Sequence, residues 1–137
     1  MAIASVKEMV EAAKAEIDNI SPEEASRRAV DEGALIVDIR DVRELQRDGA
    51  IPGAMHAPRG MLEFWVSPDS PYTNEIFGED REFVLCCAGG MRSALSAKTL
   101  KDMGMEKISH IETGFGGWQA DDMPTESYEE WKANRVR

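Results

Sequence analysis

Cysteine and histidine are scarce in this chain of 137 residues: there are two of each, and both cysteines, Cys86 and Cys87, are neighbours. Adjacent cysteines cannot bridge without unusual backbone strain, so a disulfide framework within the monomer is excluded. With only His56 and His110 as further soft ligands, no metal site is expected. Long hydrophobic runs are missing too. "ALIV" and "FVLCCA" are far too short to span a bilayer. The N-terminal stretch "MAIASVKEMVEAAKAEI" scatters charges where a secretory signal needs an uninterrupted apolar segment. A cytoplasmic protein without membrane contact is the expectation. Positive charge is in deficit, with 16 Lys and Arg against 26 Asp and Glu and a formal net charge of -10. That balance argues against broad nucleic-acid binding, which needs positive potential. An anionic substrate would have to find positive potential created locally. What remains is a thiol used as a thiol.

What is present is an ordinary soluble composition, 42% hydrophobic and 31% charged. The length suits one domain with a real core and is short for two, so 1–137 is expected to form a single domain. Ile3, Val6, Met9, Val10, Ala13 and Ile17 recur at helical spacing and predict an amphipathic helix over 5–18. Ser21 is a candidate N-cap, Pro22 suits the first helical position, and Glu24 can close a capping box. Gly33 ends that helix. "ALIVDIR" then reads as a strand buried on both faces of a parallel sheet. "DVRELQRDG" predicts a short polar helix, "AIPGAMHAP" a turn into a second short strand, and "RGMLEFWV" one or two helical turns. Residues 67–81, with two prolines and little periodicity, read as a surface excursion. "EFVLCC" is the third strand. A helix through "RSALSAKTLKDMG" follows, with Ala94, Leu95, Ala97, Leu100 and Met103 on one face. "KISHIET" is the fourth strand, and "GFGGWQADDMP" a glycine-rich turn with a short helix. Strand and helix alternate, which argues for an α/β fold with a mostly parallel sheet.

In such a sheet, ligands bind where strands end and the next helix begins. "CCAGGMRS" stands at one of these junctions. Gly89 and Gly90 allow the turn to curl until successive N–H groups face inward. That cradle, set on a helix N-terminus, is an anion site. The reactive form of cysteine is the thiolate, and holding a thiol mostly ionised at neutral pH takes about 2.7 kcal/mol. A helix dipole supplies ~0.3–1 kcal/mol, and each charge-assisted amide hydrogen bond ~1.5–3 kcal/mol. The amides are therefore expected to dominate. Strand alternation places Cys86 in the sheet and Cys87 in the cradle. Spacing to Arg92 leaves two readings open, with four intervening residues from Cys87 and five from Cys86.

"CAGGMRS" resembles the C-x-x-G-x-R-S loop of rhodanese-like sulfurtransferases. "LIVDIRDVRELQRDGAIPGAMHAP" is similar to the family's V-D-V-R-E…G-H-I-P-G-A segment, and "ETGFGGWQADDMP" to its closing G-G-x-x-x-W…P segment. The likeness runs from about Ile20 to Pro124, leaving the N-terminal helix 5–18 and the tail 125–137 appended. It implies a rhodanese-like fold, with a central mostly parallel sheet flanked by helices on both faces. It also implies Cys87 as the catalytic sulfur carrier, and Ala88, Gly89, Gly90, Met91, Arg92 and Ser93 as the anion-binding loop. The activity implied is transfer of sulfane sulfur from a small sulfur-containing anion such as thiosulfate. The sulfur would pass through a Cys87 persulfide to a thiol, cyanide or an acceptor protein, with no metal or organic cofactor. The longer spacing belongs to related phosphatases, and makes a phosphatase or arsenate-reductase-like enzyme using Cys86 the rival. A rhodanese module that relays or senses sulfur with a partner is a second alternative.

Several residues carry two readings each. Arg92 either orients an anionic donor or pairs with a carboxylate. Asp38 and Arg40 resemble a family pair that braces the site, with substrate contact by Arg40 as the alternative. Arg59 is either rim potential or a solvated charge. Phe115 and Trp118 are expected to pack the sheet's edge. Phe64 and Trp65 are expected in the core or on a pocket wall. Trp131 either packs on the domain or joins Lys132, Arg135 and Arg137 in a docking strip. Neither histidine needs a function.

Overall fold

A run of four apolar or shielded residues, Leu35–Asp38, forms a strand with every residue buried, as expected for a strand covered on both faces. The computed structural model describes residues 2–135; Arg137 of the expected docking strip lies outside them. In chain order the elements are α1 (Val6–Lys14), β1 (Asp18–Ile20), α2 (Pro22–Asp31), β2 (Leu35–Asp38), α3 (Val42–Asp48), β3 (Met55–His56) and α4 (Leu62–Val66). They continue with β4 (Phe83–Cys86), α5 (Met91–Asp102), β5 (Ile108–Ile111), α6 (Gly114–Ala120) and α7 (Tyr128–Asn134). The sheet is five-stranded, in the order β1-β5-β4-β2-β3. Every pairing is parallel.

Alternation along the central strands divides the core in two. Leu35, Val37, Phe83, Leu85 and Cys87 face one side, where Leu62, Ala97 and Leu100 cover them. Ile36, Val84 and Cys86 face the other, against Ala25, Phe115 and Trp118. Helices α4 and α5 thus lie on one face, and α2 and α6 on the opposite one. The peptide between Cys86 and Cys87 spans the boundary.

Five sequence expectations are corrected. The N-terminal helix stops at Lys14, and Asp18–Ile20 forms an edge strand on β5. Three residues are too short for a periodic signal, and only the pairing partner makes them a strand. Of that helix's apolar face, Val10 and Ala13 are buried against Ala94, while Ile3, Val6 and Met9 are exposed. The excursion over 67–81 returns to the core through a 3-10 turn at Glu75–Gly78 that buries Phe77 beside Phe83. Met103, expected on the buried face of α5, is 44% exposed, because the helix ends at Asp102. Ser21 does cap α2 by accepting from Glu24 N–H, but the Glu24 carboxylate takes Arg27 and Arg28 instead of closing the box.

The tail carries an unforeseen helix. Ser127 and Glu130 close a capping box at its start. Trp131 is buried against Leu45 and Ala50, and its Nε1–H donates to Ala54 O at 2.8 Å. Trp131 packs on the domain, and the docking-strip alternative is set aside for it. Among the described residues, no helix is long and apolar enough to cross a membrane.

Candidate active site

Strand β4 ends at Cys86, and α5 begins at Met91. Between them the chain reverses through Gly90, whose φ of +98° places it in the left-handed region. A Cβ there would lie 2.0 Å from Glu112 O, so the position requires glycine on both conformational and steric grounds. The turn brings two amides onto one sulfur. Cys87 Sγ accepts from Gly90 N–H at 3.1 Å and from Ser93 N–H at 3.4 Å. Cys87 is 1% exposed and sits at the N-terminus of the twelve-residue α5, where amide dipoles favour negative charge.

The glycine-rich segment of α6 holds the loop from behind. Phe115 N–H donates to Cys87 O at 2.7 Å, and Gly116 N–H to Ala88 O at 3.0 Å. These two bonds fix the first peptides of the loop, ahead of the Gly90 and Ser93 amides that reach the sulfur. Gly114, at φ +67°, permits this approach, since a Cβ would meet Ala88 O at 2.5 Å. The cysteine loop and the closing glycine segment are thus two halves of one construction.

Cys86 is as buried as Cys87 but has other surroundings. Its Sγ lies in the opposite core cluster, and among the described residues that sulfur makes one long hydrogen bond, to Cys87 O at 3.4 Å. Burial first, then the Asp38 carboxylate, push its thiol well above the ordinary cysteine range. An inert, protonated thiol results.

The cations near the loop are each engaged. Arg92 forks onto Glu44 of α3 at 2.8 and 3.0 Å, which holds the Glu44 carboxyl below its usual range. Of its two readings, carboxylate pairing is the one present. Arg40 is 1% exposed and bonds Asp38 through Nε and Nη2. It also donates to Gly49 O, and stacks 4.0 Å over the Phe115 ring. This is a brace beneath the site, built on Nε and Nη2. Arg59 pairs with Glu63 at 2.6 Å. Ala88, Gly89 and Met91 offer no charge.

Trp118 is buried and donates to Pro124 O, and Phe115 lies beside it. Phe64 is exposed and touches Tyr72 edge-on. Trp65 packs against the core and also walls a cleft of about 440 Å³ shared with His56, Asn74 and Ile76. Among the described residues, no group of three or more His, Cys, Asp or Glu is placed to hold a metal ion.

Sequence reasoning missed one part of this site. Ser93 Oγ lies 3.4 Å from Cys87 Sγ and 2.8 Å from His110 Nδ1. His110 Nε2 lies 2.7 Å from Asn19 Oδ1. The available signal was a histidine inside the apolar strand "KISHIET". Nothing marked Asn19 or Glu44.

A parallel sheet with helices on both faces and a cysteine in an amide-lined strand-to-helix loop defines an α/β protein with a candidate thiol site at the end of a central strand. The family described as "Rhodanese-like domain" matches residues 21–121, and the chain belongs to it. "Putative sulfurtransferase YtwF" of Bacillus subtilis is 31% identical over 94 residues, covering 69% of this chain and 82% of its own. "Putative sulfur carrier protein YrkF" of the same organism is 32% identical over 88 residues, 64% of this chain but 43% of the relative's length. A solved structure from Rhodopseudomonas palustris, described as a protein of unknown function and possible tyrosine phosphatase, is 46% identical. It matches with a TM-score of 0.87 over 92% of this chain and 97% of that one. Sulfur transfer is the general activity its curated relatives are named for.

Proposed function

We propose that this chain is a cytoplasmic sulfurtransferase, a single domain over 1–137, in which Cys87 carries sulfane sulfur as a persulfide. The observation that carries this reading is the pair of amides, Gly90 and Ser93, aimed at the Cys87 sulfur. In the first half-reaction the Cys87 thiolate attacks the outer sulfur of a donor. With thiosulfate, a new S–S bond forms, the old one breaks, and sulfite leaves with its electron pair, so the persulfide keeps one negative charge. In the second half, a thiolate or cyanide attacks the outer sulfur and regenerates the Cys87 thiolate. Both halves move negative charge between sulfur atoms near fixed N–H donors, a preorganised electrostatic role. Ala88, Gly89, Gly90, Met91, Arg92 and Ser93 make up the binding loop. Asp38 and Arg40 support it from below.

The engaged state of Arg92 and Arg59 bears on the donor. A loop whose cation is neutralised by Glu44 attracts a dianion such as thiosulfate weakly. A less charged sulfur donor, or a persulfide presented by a partner protein, fits this loop better. A second reading, phosphate-ester hydrolysis, is favoured by the description of the 46%-identical structure. Burial of Cys86 and its raised thiol count against the longer-spaced version of that reading.

Intact mass after thiosulfate treatment tests the proposal. One added sulfur, removable by dithiothreitol, is expected on the wild type and on Cys86→Ser, and none on Cys87→Ser. The reverse pattern, or phosphatase turnover without sulfur loading, would overturn it.

A further inference from the structure

We propose that Asn19 and His110, acting through Ser93, are positioning residues that restrain the reactivity of sulfur-free Cys87 by turning the Ser93 lone pairs toward its sulfur. The inference rests on Cys87 being the sulfur carrier. One chain of contacts joins β1, β5, α5 and the loop after β4.

Asn19 Nδ2 donates to Lys14 O at 2.9 Å and to Ile17 O at 3.2 Å. That fixes its Oδ1 toward His110, so the proton on the neutral imidazole sits on Nε2. Nδ1 is then bare and can only accept. Ser93, with one hydroxyl proton, donates it to Nδ1. The face of Ser93 Oγ turned to Cys87 therefore carries lone pairs, and the Cys87 S–H donates to it.

Loss of the thiol proton would set a negative sulfur against those lone pairs, opposing the two amides. Ser93 can turn its proton to sulfur only if Nδ1 gains a proton of its own. Moving the His110 proton from Nε2 to Nδ1 would leave Nε2 facing Asn19 Oδ1, two acceptors together. Adding a second proton is resisted: burial pushes the His110 pKa from 6.5 to about 4, with Lys14 lowering it further and Asp18 opposing. The other charged or titratable groups acting around the cysteine pair are Arg92 on α5, Asp38 on β2, Arg40 beyond β2 and Cys86 on β4. At neutral pH the hydroxyl stays turned to the histidine.

In the persulfide the inner sulfur carries neither proton nor charge, so the Ser93 lone pairs no longer act against it. The network thus disfavours the free thiolate, the form exposed to stray oxidants, and leaves the loaded form alone. His110 is a brake on the empty enzyme.

The test is the rate of Cys87 alkylation by iodoacetamide at neutral pH, read by mass spectrometry on the full chain carrying Cys86→Ser. His110→Leu frees the Ser93 proton to face sulfur, and alkylation rises about tenfold, the worth of one hydrogen bond to a charged group. Asn19→Ala unlocks the imidazole tautomer and accelerates in the same direction. It also serves should the buried His110→Leu fold poorly. His110→Asn, whose amide oxygen can accept from Ser93, returns the rate toward wild type. In a Ser93→Ala background His110→Leu adds nothing. Slower or unchanged alkylation in both His110→Leu and Asn19→Ala overturns the brake. So does equal acceleration with Ser93 absent, which would mean general loosening. Sulfur loading measured on the same samples separates the two ideas. A wild type that never loads removes the carrier reading while the alkylation series stands, and normal loading with a flat series removes the brake alone.

Discussion

Cys86 and Cys87 share a peptide bond yet face opposite cores, and that single alternation assigns one thiol to packing and the other to a site. Neighbouring charges follow the same logic of position over identity. Arg92 has the right spacing for an anion ligand, but Glu44 holds it in a bidentate pair. Glu44→Gln removes the opposing charge while its amide can still cap Asp41 N–H, a contact the carboxylate makes at 3.3 Å. Thiosulfate loading is expected to gain about threefold in kcat/KM, the scale of one partly exposed ion pair, with a weaker gain at high salt. Equal kinetics in Glu44→Gln and wild type would show that Arg92 does not meet the donor. Glu44 itself left no trace in the sequence, because its partner is 48 residues away.

Among the elements, the loop and α6 depend on each other. The α6 amides hold the Cys87 and Ala88 carbonyls, and Gly90 gives the turn its handedness. Gly90→Ala would force a Cβ against the Glu112 carbonyl and into an unfavourable φ. A loss of about 1–3 kcal/mol is expected in denaturant unfolding, together with loss of sulfur loading as the amides swing off the sulfur. A variant that unfolds earlier yet loads normally would contradict the coupling. The loop's cysteine, glycines and arginine were legible in the chain because turn chemistry is local. The strand β1 was not, since three residues have no period and become a strand only against Ser109, His110 and Ile111.

At the scale of the whole molecule, segments outside the family's matched region are packed in. α1 lies on α5 through Val10, Ala13 and Ala94. α7 closes the α3 side through Trp131, whose indole reaches 77 residues back to Ala54. Trp131→Ala removes that anchor, and a cost of about 3–5 kcal/mol is expected from lost burial and the cavity left. Thermal unfolding checks it; a change within experimental scatter would show α7 to be an appendage. With a net charge of -10, the molecule as a whole repels anions, so any attraction for a sulfur oxyanion is confined to the amide cradle and whatever Arg92 retains.

The chain by itself determined the alternation of strand and helix, the buried strands "ALIVDI" and "EFVLCC", and the cysteine loop with its glycine partner segment. Those are patterns of neighbours, set by periodicity and by turns only glycine can make. Tertiary structure alone decided that Arg92 is paired with Glu44, that Trp131 seals the α3 side, and that His110 Nδ1 meets Ser93. Each of these joins residues distant in sequence. The energy of such a pairing depends on burial and proton placement, which no local pattern encodes.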